Sequence, residues 1–285
     1  MIDRKKAKVS IIIRTKNEEK WIESCLKSIF NQSFKKFEVI LVDNESTDQT
    51  VKIAKKFKIK ILKISNFKPG LAINAGIRKS SGNIIVCISG HCIPVNNSWL
   101  KNLIKDLNKK KVAGVYGRQE PLSFSSDLDK RDLINTFGLD KKIQTKDTFF
   151  HNANSAFRKD VWKKFPFDED VTNIEDRVWG QKVIESGYKI IYEPKANVFH
   201  YHGIHHNQNL ERAKNVVRIL DNLKSTSTKK NLKFKKKLNI AVIIPLRGKT
   251  KFFGKSSLLE KTINSAKKSS LVKDVYVVTD NDETI

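Results

Sequence analysis

Short apolar runs alternate with longer stretches in which apolar residues return every three or four positions. The short runs are Val9–Ile13, Val39–Val42, Ile61–Ile64, Ile84–Ile88 and Ala113–Tyr116. Most are rich in β-branched residues, and each predicts a buried strand. Glu18–Phe30 and Asp48–Phe57 carry the helical period. Repeated strand–helix–strand units predict an α/β fold, with a mainly parallel sheet covered by helices on both faces. Ligands of such sheets sit beyond the carboxyl ends of the strands, so the residues that follow each strand are the first candidates for chemistry.

The pattern changes near residue 223. From Lys224 to Lys237 the chain reads KSTSTKKNLKFKKK, with seven lysines, no acid and little apolar content. A linker over 223–238 is the expectation, as a solvated tether or a patch that rests on anionic lipid. It would join a first domain, 1–222, to a final segment, 239–285. That segment opens with a strand, Ile240–Ile244, and holds another, Val275–Val278. Two strands cannot build a core of their own, so the tail reads as a partial second α/β unit.

Composition adds little to the fold but constrains the partners. The 285 residues carry a formal charge of +26, mostly from lysine spread along the whole chain. Such a chain attracts polyanions. No zinc-finger spacing, helix-turn-helix signature or RNP-type strand accompanies the charge, so nucleic acid is not the expected partner. No apolar run approaches the roughly 20 residues that cross a bilayer, and MIDRKKAK lacks an apolar signal core. The expected compartment is the cytoplasm, including the inner face of the membrane. Cys25, Cys87 and Cys92 have no metal-type spacing and read as buried free thiols.

Strand one runs into Arg14-Thr15-Lys16-Asn17-Glu18-Glu19, and strand two into Asp43-Asn44-Glu45-Ser46-Thr47-Asp48. Ser46, Thr47 or Asp48 could cap the helix that follows, and capping is the preferred role for Asp48. Asp43 stands at a strand's carboxyl end, where a base or ribose could be held. VSIIIRTKNEEKWIESCLKSIFNQSFKKFEVILVDNESTDQT resembles the opening of family-2 glycosyltransferases of the GT-A, Rossmann-like fold. The resemblance implies donor contacts for Thr15, Asn17, Glu18 and Asp43, with Arg14 in place of the usual proline. FKPGLAINAGIRKSSGNIIVCISGHCIPVNNSWL resembles the next block, whose strand ends in Asp-x-Asp and holds a divalent cation, Mn²⁺ or Mg²⁺, against the donor diphosphate. Here those positions read Ser89-Gly90-His91, and both carboxylates are missing. Ser89 is then a donor contact. His91 is either a ligand or a residue that hydrogen-bonds at the strand end.

NIEDRVWGQKVIESGY resembles the acceptor half of the family, and implies that Asp176, beside Glu175, is the catalytic base. A sugar hydroxyl is a poor nucleophile until a carboxylate accepts its proton. The alternative for this pair is acidic decoration of a helix start. Four of the six histidines fall within residues 200–206. GT-A enzymes often complete the metal site with a late histidine, which points to His200 and His202; the alternative is a surface loop. LNIAVIIPLRGKTKFFGKSSLLEKTINSAKKSSLVKDVYVVTDNDETI resembles the opening of sugar cytidylyltransferases, which implies phosphate contacts for Arg247, Gly248 and Lys255.

The function implied is inverting transfer of a sugar from a nucleotide-diphosphate donor to a glycan or lipid-linked acceptor in surface-polysaccharide synthesis. The alternatives are a non-catalytic nucleotide-sugar or glycan binder, motivated by the lost acids, and part of a sugar cytidylyltransferase, motivated by the tail.

Overall fold

The computed structural model describes residues 9–203, 210–226, 240–246, 252–253, 256–268 and 272–279. The chain divides into two compact units, residues 1–227 and 228–285.

The first unit begins as three strand–helix repeats: β1 (Val9–Thr15), α1 (Ile22–Phe30), β2 (Phe37–Asp43), α2 (Thr50–Ala54), β3 (Lys60–Lys63) and α3 (Pro69–Arg78). β4 (Ile84–Ser89), the short β5 (Ile93–Pro94) and α4 (Trp99–Ile104) follow. The second half holds β6 (Val112–Pro121), α5 (Asp127–Thr136), β7 (Lys142–Gln144), β8 (Asn154–Arg158), α6 (Lys159–Lys164), α7 (Glu175–Glu185), β9 (Lys189–His200) and α8 (Leu210–Thr226). α1 starts later than the apolar period suggests. Asn17 adopts a left-handed φ of 55°, and the Glu18 carbonyl accepts from Trp21 and Ile22 in a turn before the helix.

Among the described residues of the first unit the strands form one sheet, in the order β3-β2-β1-β4-β8-β6-β9-β5, with β7 paired to β9. β3, β2, β1 and β4 are mutually parallel, and β6 is parallel to β9. β8 enters antiparallel between β4 and β6, and β5 and β7 run against β9. The fold is the expected α/β sandwich with a mostly parallel sheet. β8 is a strand that apolar patterning did not announce.

Alternation along each strand builds the two faces. Ile11 and Ile13 of β1, Leu41 of β2 and Val86 of β4 join Leu26 and Ile29 of α1 and Trp99 of α4 in one apolar layer. Ile12, Ile40 and Ile85 point the other way, onto Ile73 and Ile77 of α3 and Trp179 of α7. Each fully buried Ile or Leu contributes roughly 1.5–3 kcal/mol of transfer free energy. Cys25, Cys87 and Cys92 are free and buried in these layers. Burial pushes the Cys87 thiol up to about 12, and the acids Glu175 and Asp176 add to this against the opposing pull of Arg14.

The parallel register places the future site. Thr15 pairs with Asp43, and Arg14 with Ser89, so the carboxyl ends of β1, β2 and β4 finish together. β1 lies between β2 and β4, the point at which strand order reverses and a crevice opens.

α8 continues to Thr226, into the stretch read as the start of the linker; residues 227–238 lie outside the described residues. In the second unit β10 (Ile240–Leu246) pairs in parallel with β13 (Val272–Thr279). Between them β11 (Phe252–Phe253) and β12 (Ser256–Ser257) form an antiparallel pair, and α9 (Leu258–Lys267) follows. No helix among the described residues is long and apolar enough to cross a membrane.

Candidate active site

A cavity of 810 Å³ opens at the carboxyl ends of β1 and β4, and is closed on the far side by the start of α7 and by α8. Its wall includes Thr15, Glu18, Ser89, His91, Glu175, Asp176, His200 and His202. Eight of the residues singled out from sequence therefore meet in one space, drawn from four separate stretches of chain.

One side of the cavity is a histidine cluster. The His91 Nδ1–H donates to Glu18 Oε1 at 2.6 Å, and His91 Nε2 lies 3.1 Å from His200 Nε2. An ionised carboxylate only accepts, so the Glu18 contact fixes the proton on Nδ1 and turns the His91 Nε2 lone pair toward His200. Two imidazole nitrogens bound at right angles to one ion at ~2.1 Å would stand about 3 Å apart, close to the spacing seen. The His202 ring is 4.3 Å from that of His200 and 4.9 Å from that of His91. Its Nδ1–H donates to the Gly203 carbonyl at 2.8 Å. Burial, then the nearby His91, holds the His202 imidazole below its ordinary pKa and so in the neutral, ligating form. The outward hydrogen bonds of His91 and His202 are the kind that orient metal-binding imidazoles.

His91, Cys92 and His200 also present donor atoms within 4.8 Å of one another. Burial, with the charges of Cys25 and Glu18, raises the Cys92 thiol well above its usual value. A thiol held protonated is a poor ligand. The chemistry therefore favours the His91 and His200 imidazoles, with the His202 ring beside them, as the donors a divalent cation would meet. Gly90, between Ser89 and His91, has no room for a side chain: a Cβ there would stand 2.7 Å from Thr15 Cγ2.

The opposite side holds the acid pair. Glu175 and Asp176 open α7, directly after Ile174 in a left-handed conformation with φ 52°. Asp176 Oδ2 accepts from the Asn152 backbone N–H at 3.0 Å, and its Oδ1 from the Arg177 N–H at 2.9 Å. Glu175 Oε1 accepts from Arg14 at 3.1 Å and from the Asn152 side chain at 3.2 Å. Burial pushes both carboxyls up, and for Glu175 the Asp176 charge adds to the rise while Arg14 opposes it. A carboxylate with a raised pKa is a stronger base. Helix decoration does not describe these acids, because both are buried and face the cavity.

Asn17 and Asp43, expected to meet the donor, stand outside the cavity wall. Asp43 is fully buried, and its Oδ1 accepts the Ser46 hydroxyl at 2.6 Å and the Thr15 hydroxyl at 3.3 Å. The Asn17 side-chain oxygen accepts from the Thr47 N–H at 2.8 Å. Both spend their polar atoms folding the 44–48 loop, and Asn44 reaches the cavity instead. Asp48 takes the capping role, its Oδ1 accepting from the first helical N–H, Thr50, at 2.9 Å.

Arg14, Lys16, His151, Arg177 and Arg212 also line the cavity and were not marked as site residues. The Arg14 departure from proline was visible in sequence, whereas His151 stood in no motif singled out there. Arg212 gave no local signal, being one basic residue on an amphipathic helix. Burial, then Arg177, lowers the His151 imidazole to about 3, so it stays neutral. Arg247, Gly248 and Lys255 lie outside the described residues.

The sequence profile described as Glycosyl transferase family 2 matches residues 10–165. The chain belongs to glycosyl transferase family 2. Among the curated members of the family it is 28% identical over 214 residues to a dolichyl N-acetyl-α-D-glucosaminyl phosphate 3-β-D-2,3-diacetamido-2,3-dideoxy-β-D-glucuronosyltransferase of Methanococcus voltae, covering 68% of this chain and 66% of that protein. It is 27% identical to the O-antigen chain rhamnosyltransferase RfbN of Salmonella typhimurium, covering 68% of this chain and 67% of that one. The matched part thus spans about two thirds of these relatives. The fold matches the mannosyltransferase PcManGT of Pyrobaculum calidifontis, solved with GDP-Man and Mn²⁺, with a TM-score of 0.62 and 22% identity over 77% of this chain and 64% of that one. It also matches Staphylococcus aureus TarS 1–349, solved with UDP-GlcNAc, at a TM-score of 0.55 and 19% identity over 70% of this chain and 60% of that one. Within this family-2 chain, Ser89-Gly90-His91 stands where the Asp-x-Asp motif was expected.

Proposed function

We propose that this chain is an inverting glycosyltransferase that moves a sugar from a nucleotide-diphosphate donor to a hydroxyl of a glycan or lipid-linked acceptor in surface-polysaccharide assembly. The observation that carries the reading is one cavity with a buried, basic carboxylate on one wall and a carboxylate-braced histidine cluster on the other. That is the polarity a displacement needs, with proton removal on the acceptor side and charge neutralisation on the diphosphate side.

In the proposed step Asp176 accepts the acceptor's hydroxyl proton as its oxygen bonds to the anomeric carbon. The bond to the diphosphate oxygen breaks on the opposite face, which inverts the centre. Glu175 is held by Arg14 and Asn152 and fixes the start of α7, so that Asp176 keeps its place. His91, His200 and His202 would hold a divalent ion, Mn²⁺ or Mg²⁺, whose contribution is to neutralise the charge gathering on the departing diphosphate. Arg14, Lys16 and Arg212 add fixed positive charge to the same space.

A non-catalytic binder is the second reading, motivated by the absent acids of the metal motif. The clustering of three imidazoles where those acids would act, with Glu18 behind them, supports the catalytic reading over it. For the tail, the proposal remains the opening of a sugar cytidylyltransferase, and it rests on the resemblance of its sequence alone.

The test incubates the purified chain with a panel of nucleotide sugars and records hydrolysis and melting-temperature shifts. Hydrolysis of at least one donor is expected; a donor that stabilises the protein without ever being turned over would favour the binder.

A further inference from the structure

Three aromatic rings from distant parts of the chain lie nearly parallel beside the histidine cluster. The Trp21 ring is 5.3 Å from that of Tyr201, at 15° between planes, and 6.1 Å from that of Phe124, at 10°. Packing of the apolar core does not explain them, since Phe124 is 65% exposed and Tyr201 37%.

Each ring is tied to a cavity residue. Trp21 donates its backbone N–H to the carbonyl of Glu18, the residue that orients His91. Tyr201 sits between His200 and His202, and its ring meets that of His91 edge-on at 5.4 Å. Phe124 belongs to the β6–α5 loop, which the Ser125 hydroxyl fastens to the Tyr201 carbonyl at 2.7 Å. The platform is thus rigid, and it ends where the chemistry is proposed to begin.

We infer that Trp21, Phe124 and Tyr201 form a platform for a pyranose ring of the acceptor glycan remote from the hydroxyl that reacts at Asp176, which makes the acceptor a saccharide rather than a bare lipid phosphate. The inference rests on the glycosyltransferase reading. A pyranose ring has an apolar C–H face and a rim of hydroxyls. The exposed ring of Phe124, at the end of a stack with Trp21 and Tyr201, offers a flat face to the first, and polar groups around it match the second. Ser123 and Asp127 are exposed along the Phe124 loop and supply that rim. Lys20 lies over Trp21 and Phe124, with its nitrogen 5.0 Å and 6.0 Å from their centroids. It is a flexible side chain that a sugar displaces easily. An anionic membrane fits less well, because the rim carries the carboxylate of Asp127.

Saturation-transfer NMR on the full chain, with the methyl glycosides of glucose, rhamnose and N-acetylglucosamine as probes and no nucleotide present, tests this directly. At least one glycoside should receive saturation concentrated on the C–H groups of one ring face. Phe124→Ala and Phe124→Leu should both weaken its binding at least about fivefold. The leucine variant keeps apolar area but removes the flat face, and the exposed position spares the fold. The inference is overturned if no glycoside is saturated, if Phe124→Leu binds like the unchanged protein, or if Phe124→Ala lowers only binding to phosphatidylglycerol vesicles. Nucleotide-sugar hydrolysis is measured separately, so either reading can fail without the other.

Discussion

His91 Nε2 and His200 Nε2 face each other across 3.1 Å, although 109 residues separate them in the chain. Two imidazole nitrogens so placed either share one proton or bracket a cation. The tautomer imposed on His91 by Glu18 makes the second arrangement available. Mn²⁺ should therefore raise the melting temperature, and His91→Ala should raise the concentration of ion needed for half-maximal donor turnover. Full activity in excess EDTA, indifferent to His91→Ala, would instead assign diphosphate neutralisation to Arg14, Lys16 and Arg212.

Glu18 acts on the site through His91. Glu18→Gln keeps the shape but removes the charge that sets the tautomer, so Mn²⁺ affinity should fall by about 10–100-fold. Calorimetric titration with Mn²⁺ alone measures this without reference to turnover. An unchanged affinity would make the 2.6 Å contact merely structural.

Asp176→Asn preserves volume but cannot accept a proton, and its amide keeps only one of the two backbone hydrogen bonds that the carboxylate accepts. Turnover should drop by about 10²–10⁴-fold while donor binding changes little. Near-normal turnover would remove Asp176 from the role of base and turn attention to Glu175.

His151 carries a pH prediction. Its imidazole titrates near 3 in the folded chain and near its ordinary value of ~6.5 when unfolded. Below that value the unfolded chain takes up a proton that the folded chain refuses, so stability is full above it and lost as pH falls toward 3. Glu175 and Asp176, raised by burial, act in the opposite sense, losing stability as pH rises above the usual carboxylate range. His151→Gln should therefore melt with a shallower decline between pH 7 and 5, about two units of acidification below neutrality. An identical slope in both proteins would mean that His151 is protonated without cost.

Both apolar layers of the sheet draw their buried residues from the first unit. A chain ending at Ser227 should consequently fold and keep donor hydrolysis. Loss of hydrolysis in a truncated protein that still melts cooperatively would make the second unit part of the site.

The sequence alone determined the two-faced sheet and its family. Ile11, Ile12 and Ile13 alternate between layers because successive strand residues must point to opposite faces, and the apolar period of α1 marks which side it covers. These are local rules, legible in a few residues. So was the capping by Asp48, which needs only a carboxylate two residues ahead of a helical N–H. What the tertiary structure decided are the pairings of distant residues. Nothing near Arg14 announces Glu175, which is 161 positions away. Asp43 reads as a ligand-facing acid until Ser46 and Thr15 enclose it. Arg212 joins the cavity only because α8 closes it. Side-chain chemistry is written in the chain, but a hydrogen bond or a shared cavity requires two segments to meet within a few ångströms. The register of β1 against β2 and β4 sets that meeting, and no single segment encodes it.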